Sequence, residues 1–394
     1  MALPSTVTST NVLPLQNYCS GPFKSSTGKY FMVGVASTAT PNGPIVWFAN
    51  DPEGTWTQDL PSVSRAQSLW ASQEGDLIHI IQIGSDLDDA LYSRYDMKAE
   101  SWIVTRETID APKNAPILYA VSIASRGAGD PIVGLYSGDT DSIMGTAYDR
   151  LDYATRNTSG TWSSPTQAFG ASNDEIHYTG ASIIPGTGNG LHFFGRRSSD
   201  SFLLGRTLSS GGSLSTTINN GAATATSLLT NGISFDDAGT QRVIQGYKDS
   251  STNEFHIWRM TESGGSVADV DVVTISTAND VDTQNNTPVG SLGVDGTIAQ
   301  AAWSHDTDLD LYHDQADTPQ ASGDWGTDTE HRNAVTINRI SCQVYNRDGA
   351  RVLAMVYDDG GTIKYDEIDI DVVPANLSDV KFPQQSSYIG PYEI

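Results

Sequence analysis

The chain of 394 residues carries 47 acidic against 22 basic side chains, a formal charge of -25. A surface of that sign repels nucleic-acid backbones and anionic membranes over most of its area, which argues against nucleic-acid binding. No apolar run approaches the roughly 20 residues of a membrane span, so membrane insertion is not expected.

Composition next points to β-structure. The 37 Gly, with many Ser, Thr, Asp and Asn and only short β-branched runs, suit many strands joined by tight turns. Residues Met1 to Tyr18 lack the basic start and apolar stretch of a secretory leader. The expectation is a protein that stays in the cytoplasm, or leaves by assembly into a larger particle or by another export route.

In chain order, a strand, a tight turn and a second strand recur seven times. The second strands are predicted at Tyr30–Ser37, Leu77–Gly84, Pro131–Gly138, Gly190–Arg197, Gln241–Asp249, Ile298–Asp306 and Arg351–Asp359. Their centres, Val33, Ile80, Val133, Phe193, Ile244, Ala301 and Ala354, lie 47, 53, 60, 51, 57 and 53 residues apart. Turns such as Ser26-Thr27-Gly28, Asp237-Ala238-Gly239 and Arg347-Asp348-Gly349 precede them, with Gly where a short hairpin demands positive φ.

A third strand follows each second one, at Ile45–Ala49, Leu91–Tyr95, Gly145–Arg150, Leu203–Thr207, Phe255–Met260, Leu309–His313 and Ile363–Ile368. A small-polar-bulky triplet then opens the outermost strand: Gly54-Thr55-Trp56, Glu100-Ser101-Trp102, Gly160-Thr161-Trp162, Gly212-Ser213-Leu214, Gly265-Ser266-Val267 and Gly323-Asp324-Trp325. The seventh unit lacks this triplet, so its fourth strand comes from Asp371–Phe382 or from the N-terminal stretch near Ser5–Thr10. Units of this size bury both faces only by stacking around an axis. The predicted fold is all-β, a closed seven-bladed β-propeller of four-stranded antiparallel blades across residues 1–394, closed by its terminal segments. Six blades with a decorated terminus is the alternative.

The loops between second and third strands share one face in such a meander. They carry Asp86, Asp88 and Asp89; Asp139 and Asp141; Asp200; Asp249; Asp306, Asp308 and Asp310; and Asp358 and Asp359, a negative collar. The ordinary reading is turn formation; the functional one is a cationic partner or a hard cation. The alternation of Asp306, Asp308 and Asp310 resembles the opening of a calcium loop, with Ca2+ as the expected ion. Leu311 stands where that loop needs Gly, and no Glu occupies its twelfth position. His79, His177, His192, His256 and His331 show no ligand spacing, and no catalytic residue is assigned. Cys19 and Cys342 fall in the first strands of the first and last units, as two buried thiols or a clasp.

The stretch Trp47 to Trp56 resembles two hairpins of known propellers: the Asp-box of sialidase-like proteins and the Asn-Asp-Pro segment of propeller glycosidases. Ala49 replaces the Asp-box Ser, Gly54 falls one place late, and Ala49 is an insertion in the glycosidase motif. The second resemblance implies a nucleophile at Asp51, but the partner motifs of such enzymes are absent, and Asp51 reads as a turn residue. A sialidase-like site needs several converging arginines, for which Arg65, Arg126, Arg196 and Arg339 are candidates.

In style the chain resembles propeller-like accessory proteins of tailed bacteriophages, with Ser/Thr/Gly/Asn-rich blades, few Lys and no catalytic motif. That resemblance implies a non-enzymatic structural or attachment component of a virion. Its rigid disc would contact other virion proteins or a host-surface glycan, and the resemblance is compatible with multiple copies in an assembly. A propeller-type carbohydrate-active enzyme is the alternative.

Overall fold

The computed structural model describes residues 3–8, 19–35, 43–60, 66–84, 90–110, 121–126, 132–138, 150–170, 176–186, 190–197, 202–220, 227–249, 251–263, 266–276, 281, 283–284, 287–288, 290–305, 310–316, 321, 323–326, 328–333 and 337–370. They form seven four-stranded antiparallel sheets set as the blades of a ring. The innermost strands, in blade order, are Cys19–Lys24, Ala66–Glu74, Val121–Ser125, Ile176–Pro185, Ser227–Asp237, Gly290–Asp295 and Ile337–Arg347. Each packs beside the next, and that of blade 7 packs beside that of blade 1. The fold is therefore the seven-bladed propeller, and the six-bladed alternative is excluded.

The repeat is visible because each second strand is apolar on both faces, squeezed between two neighbouring blades. These strands run Tyr30–Val35, Leu77–Gly84, Ile132–Gly138, Leu191–Arg197, Thr240–Asp249, Ile298–Ser304 and Ala350–Asp359. Their hairpins use the expected left-handed residues, for example Ala238 and Gly239 at φ 48° and 88°, and Asp348 and Gly349 at 53° and 90°. Two consecutive positive φ values match the strands' right-handed twist. The third strand of blade 3 is Arg150–Arg156, later than the sequence suggests. Leu151, Tyr153 and Ala154 are the residues that bury there, and the Asn157 to Thr161 turn follows at once.

Ring closure uses the N-terminal segment. Ser5–Thr8 forms the outermost strand of blade 7, pairing antiparallel with Thr362–Asp369 through Ser5↔Tyr365 and Thr6↔Lys364. Val7 joins the apolar seam shared with blade 1, and Ser5 Oγ donates to the Pro52 carbonyl of that blade. The rival segment Asp371–Phe382 lies outside the described residues.

The triplet residues wedge between sheets as their bulk requires. Trp56 of blade 1 lies 5.8 Å from the Tyr365 ring of blade 7, and Trp162 of blade 3 lies 5.4 Å from Tyr92 of blade 2. Polar clamps cross the same seams. Arg156 grips Glu107 through two bonds of 3.0 and 2.9 Å, His192 meets Glu262 at 3.1 Å, and Arg347 reaches Glu53 at 2.8 Å. No helix among the described residues is long and apolar enough to cross a membrane.

Candidate functional site

The innermost strand of a blade has one edge without a strand partner, so its backbone groups face the axis and need other partners. One repeated side-chain position supplies them. Ser20 Oγ accepts the Ala71 N–H at 3.1 Å, Ser122 Oγ that of Ile183 at 3.0 Å, and Ser291 Oγ that of Cys342 at 3.1 Å. Asn231 bonds both backbone groups of Leu292, accepting its N–H and donating to its carbonyl at 2.7 Å each. Ser341 Oγ donates to the Gly21 carbonyl at 2.6 Å, which carries the series across the closure.

The equivalent position thus holds Ser20, Trp70, Ser122, Ser182, Asn231, Ser291 and Ser341. A hydroxyl or amide there staples blades 1, 3, 5, 6 and 7 to the next, and Trp70 is the one residue of another type. Removing one staple leaves a backbone N–H short of an acceptor, so Ser291→Ala is expected to lower stability by about 1–2 kcal/mol. Chemical unfolding of the variant checks this; an unchanged midpoint would show that the Cys342 amide is satisfied in another way.

Inside the ring lies a cavity of about 50 Å³, room for a few water-sized groups. Every innermost strand contributes to it, with Ser20, Ser72, Ser182, Asn231, Ser341 and Gln343 among its polar walls. Its described lining has no Asp, Glu, Lys, Arg or His. Cys342 lines it too, a buried free thiol that burial pushes up to about 12, against the pull of Ser291. Such a thiol stays protonated and is no nucleophile.

Acid–base pairs occur instead in the seams. His79 is fully buried between blades 2 and 3, with Nδ1 2.8 Å from Tyr92 Oη and Nε2 2.9 Å from Glu74. Burial holds His79 below its ordinary value, against the opposing pull of Glu74. Burial raises Glu74, but bonds from His79 and Ser125 and the Arg94 charge outweigh it and keep it ionised. A neutral imidazole donating to a carboxylate in a closed seam is a structural clamp.

No family model matches the chain, and no curated protein matches it by sequence. Solved structures do share its shape. The α-L-arabinanase of Penicillium chrysogenum, complexed with arabinobiose, superposes at TM-score 0.50 and 11% identity, covering 93% of this chain and 97% of that one. The α-L-arabinofuranosidase of Fusarium graminearum, with an iminosugar inhibitor, gives 0.50 and 12%, covering 94% and 98%. The Aleuria aurantia lectin bound to Fucα1-6GlcNAc gives 0.47 and 10%, covering 84% and 99%. At these identities the likeness to the first two shows the fold alone.

The residues singled out from the sequence fall in different places. Asp51 sits on the turn between the third and fourth strands of blade 1, its side chain 65% exposed. Its Oδ1 accepts the Glu53 N–H at 3.0 Å and its carbonyl accepts the Gly54 N–H at 2.9 Å, so it is a turn former remote from the cavity lining. Arg126 donates to the Ser210 carbonyl at 3.1 Å, and Arg126, Arg196 and Arg339 are all buried outside that lining. Arg65 and the side chain of Cys19 lie outside the described residues.

So do Asp86, Asp88, Asp89, Asp139, Asp141, Asp200, Asp306 and Asp308 of the collar. Asp310 is buried, its carbonyl accepting the His305 N–H at 3.0 Å. Asp249 accepts from the Ser251 N–H and Oγ at 2.8 and 2.7 Å, and Asp358 from the Gly361 N–H at 2.6 Å, both closing their own turns. Among the described residues no three His, Cys, Asp or Glu side chains are placed to hold a metal ion.

The staple residues were missed by the sequence reading. Their signal is one Ser or Asn in six of the seven blades, between the second and seventh residue of the innermost strand, and it emerges only after the blades are aligned.

Proposed function

We propose that this propeller recognises carbohydrate, with the axial cavity as its binding centre and no cleavage of what it binds. The observation that carries the reading is the cavity wall: hydroxyl and amide groups from five of the seven blades beside aromatic rings, with no carboxylate among the described lining. Neutral hydrogen-bonding groups converging with apolar surface suit a polyhydroxylated ligand. Glycoside hydrolysis instead requires two carboxyl groups roughly 5–9.5 Å apart. The arabinobiose of the Penicillium arabinanase shows that this fold can hold a neutral sugar, and it is consistent with a glycan partner here.

Attachment to a host-surface glycan fits this reading. Membership of a phage virion rests on the style of the sequence alone, since the similar structures described above act on or bind glycans. The rigid closed ring would present its loops at little entropic loss on binding.

The test is an oligosaccharide array followed by a glycosidase and sialidase substrate screen. Binding without turnover is expected, with Asp51→Asn leaving both results unchanged. Turnover that disappears in Asp51→Asn and survives in Asp89→Asn would replace this proposal by the hydrolase reading.

A further inference from the structure

The series of Ser and Asn side chains is interrupted at one place, by Trp70, and that place faces the cavity. Six blades place Ser or Asn at the equivalent position; blade 2 places Trp70 there. An indole offers one donor and no acceptor, so Trp70 cannot take the Ile123 N–H as Ser20 takes that of Ala71. Trp70 is half-buried, packed against the apolar seam of blades 2 and 3 and lining the cavity with its remaining surface. Two residues on, Ser72 also lines the cavity, is only 7% exposed, and its Oγ has no hydrogen-bond partner. A buried hydroxyl left unmet is a standing penalty that an incoming hydroxyl removes.

We infer that the axial cavity is a subsite for a neutral saccharide, with Trp70 carrying the apolar face of a sugar ring and Ser72 Oγ bonding an inserted hydroxyl. The inference rests on the glycan-recognition reading above and narrows it. An aromatic plate beside hydroxyls satisfies both halves of a sugar's chemistry, its C–H face and its O–H rim. A volume of about 50 Å³ admits a hydroxyl or hydroxymethyl group while the sugar ring stays against Trp70. The carboxylate of a sialic or uronic acid would meet no cationic side chain among the described lining residues, and the net charge of -25 would oppose its approach.

The experiment compares wild type, Trp70→Ala, Trp70→Phe and Ser72→Ala on an array of neutral and acidic oligosaccharides that includes arabinobiose and sialyllactose, with calorimetric titration of the best neutral binder. Neutral sugars are expected to bind, and acidic ones to bind at least about tenfold more weakly. Trp70→Ala should weaken binding by about tenfold or more, Ser72→Ala by a few-fold, and Trp70→Phe least, because it keeps a ring. If Trp70→Ala does not fold, the Phe and Ser72 variants decide. Neutral binding that survives both Trp70→Ala and Ser72→Ala unchanged, or a preference for acidic glycans, overturns this subsite and leaves glycan recognition standing. A wild-type protein that binds nothing on the array overturns both.

Discussion

Asp366→Ala is expected to destabilise the protein by about 3 kcal/mol at neutral pH. Asp366 sits on the third strand of blade 7 with no exposed surface, and both its oxygens are engaged from blade 6. Arg332 donates Nε to Oδ2 at 2.6 Å and Nη2 to Oδ1 at 2.8 Å, and His331 Nε2 lies 3.1 Å from Oδ2. The Glu367 N–H adds a bond of 3.0 Å. Alanine leaves the guanidinium and imidazole without their acceptor in the seam, which is the expensive way to break such a cluster. Arg332 retains some contact with solvent, at 32% side-chain exposure, which keeps the estimate at the lower end.

The pH dependence distinguishes this clamp from mere packing. Burial pushes the Asp366 carboxyl up, but the bonds and charges of Arg332 and His331 outweigh it and hold it below the ordinary 3.8. A carboxylate with a depressed folded value stabilises fully above about pH 4 and loses that contribution as pH falls through the folded value. The difference between wild type and Asp366→Ala, read from chemical unfolding, should therefore shrink below pH 4. A loss under about 1 kcal/mol at pH 7, or one indifferent to acid, would mean that the cluster is too solvated to join the blades.

The architecture was legible because its signal is local and repeated. Leu77–Gly84 reads as a buried strand and Asp348-Gly349 as a hairpin turn without reference to anything distant. The Asp51 hairpin was legible as a turn for the same reason. What escaped was relational. Asp366 finds its partners 34 and 35 residues away on another sheet, and Ser291 caps an amide 51 residues on. The stretch near Ser5–Thr10 and Asp371–Phe382 were both candidates for the last strand because nothing within either segment names its partner. Pairing with Tyr365 and Lys364 decides between them, and neither is a neighbour in sequence.

The same logic explains why Trp70 drew no attention in the sequence. A lone Trp in a strand is an ordinary core residue, and only the serines that replace it in other blades make it unusual. The axial cavity is assembled from one to three residues per blade, so no contiguous motif encodes it. The Asp51 hairpin is contiguous and therefore stands out in the sequence, yet its side chains close a turn and meet Arg347 of blade 7.

Asp314→Asn is expected to stabilise the protein at pH 8, by about 1–2 kcal/mol, and to lose that advantage near pH 4. Asp314 lies on the third strand of blade 6 and is 4% exposed. Its Oδ1 accepts the Gln315 and Gly326 N–H groups at 2.7 and 3.1 Å, while Oδ2 is buried without a partner. Burial pushes this carboxyl up to about 6; the Asp328 charge adds to the rise and the two backbone bonds oppose it. A folded value above the unfolded 3.8 means that stability is fully present below about pH 4 and is lost as pH rises through 6. Near two pH units at 1.36 kcal/mol each set an upper limit of about 3 kcal/mol for the penalty at pH 8. Asparagine removes the charge and keeps an oxygen for both N–H groups, but its amide nitrogen inherits the unpartnered position, which returns about 1 kcal/mol. His313 next to it is pushed down to about 4 by burial and then by the His331 charge. It titrates over the same range in both proteins and cancels in the difference between them. Unfolding midpoints measured at pH 8 and pH 4 should therefore diverge in favour of the variant at the higher pH alone. A variant that is less stable at both would show that the ionised carboxylate is accommodated in the seam, and that its unpartnered oxygen finds company there.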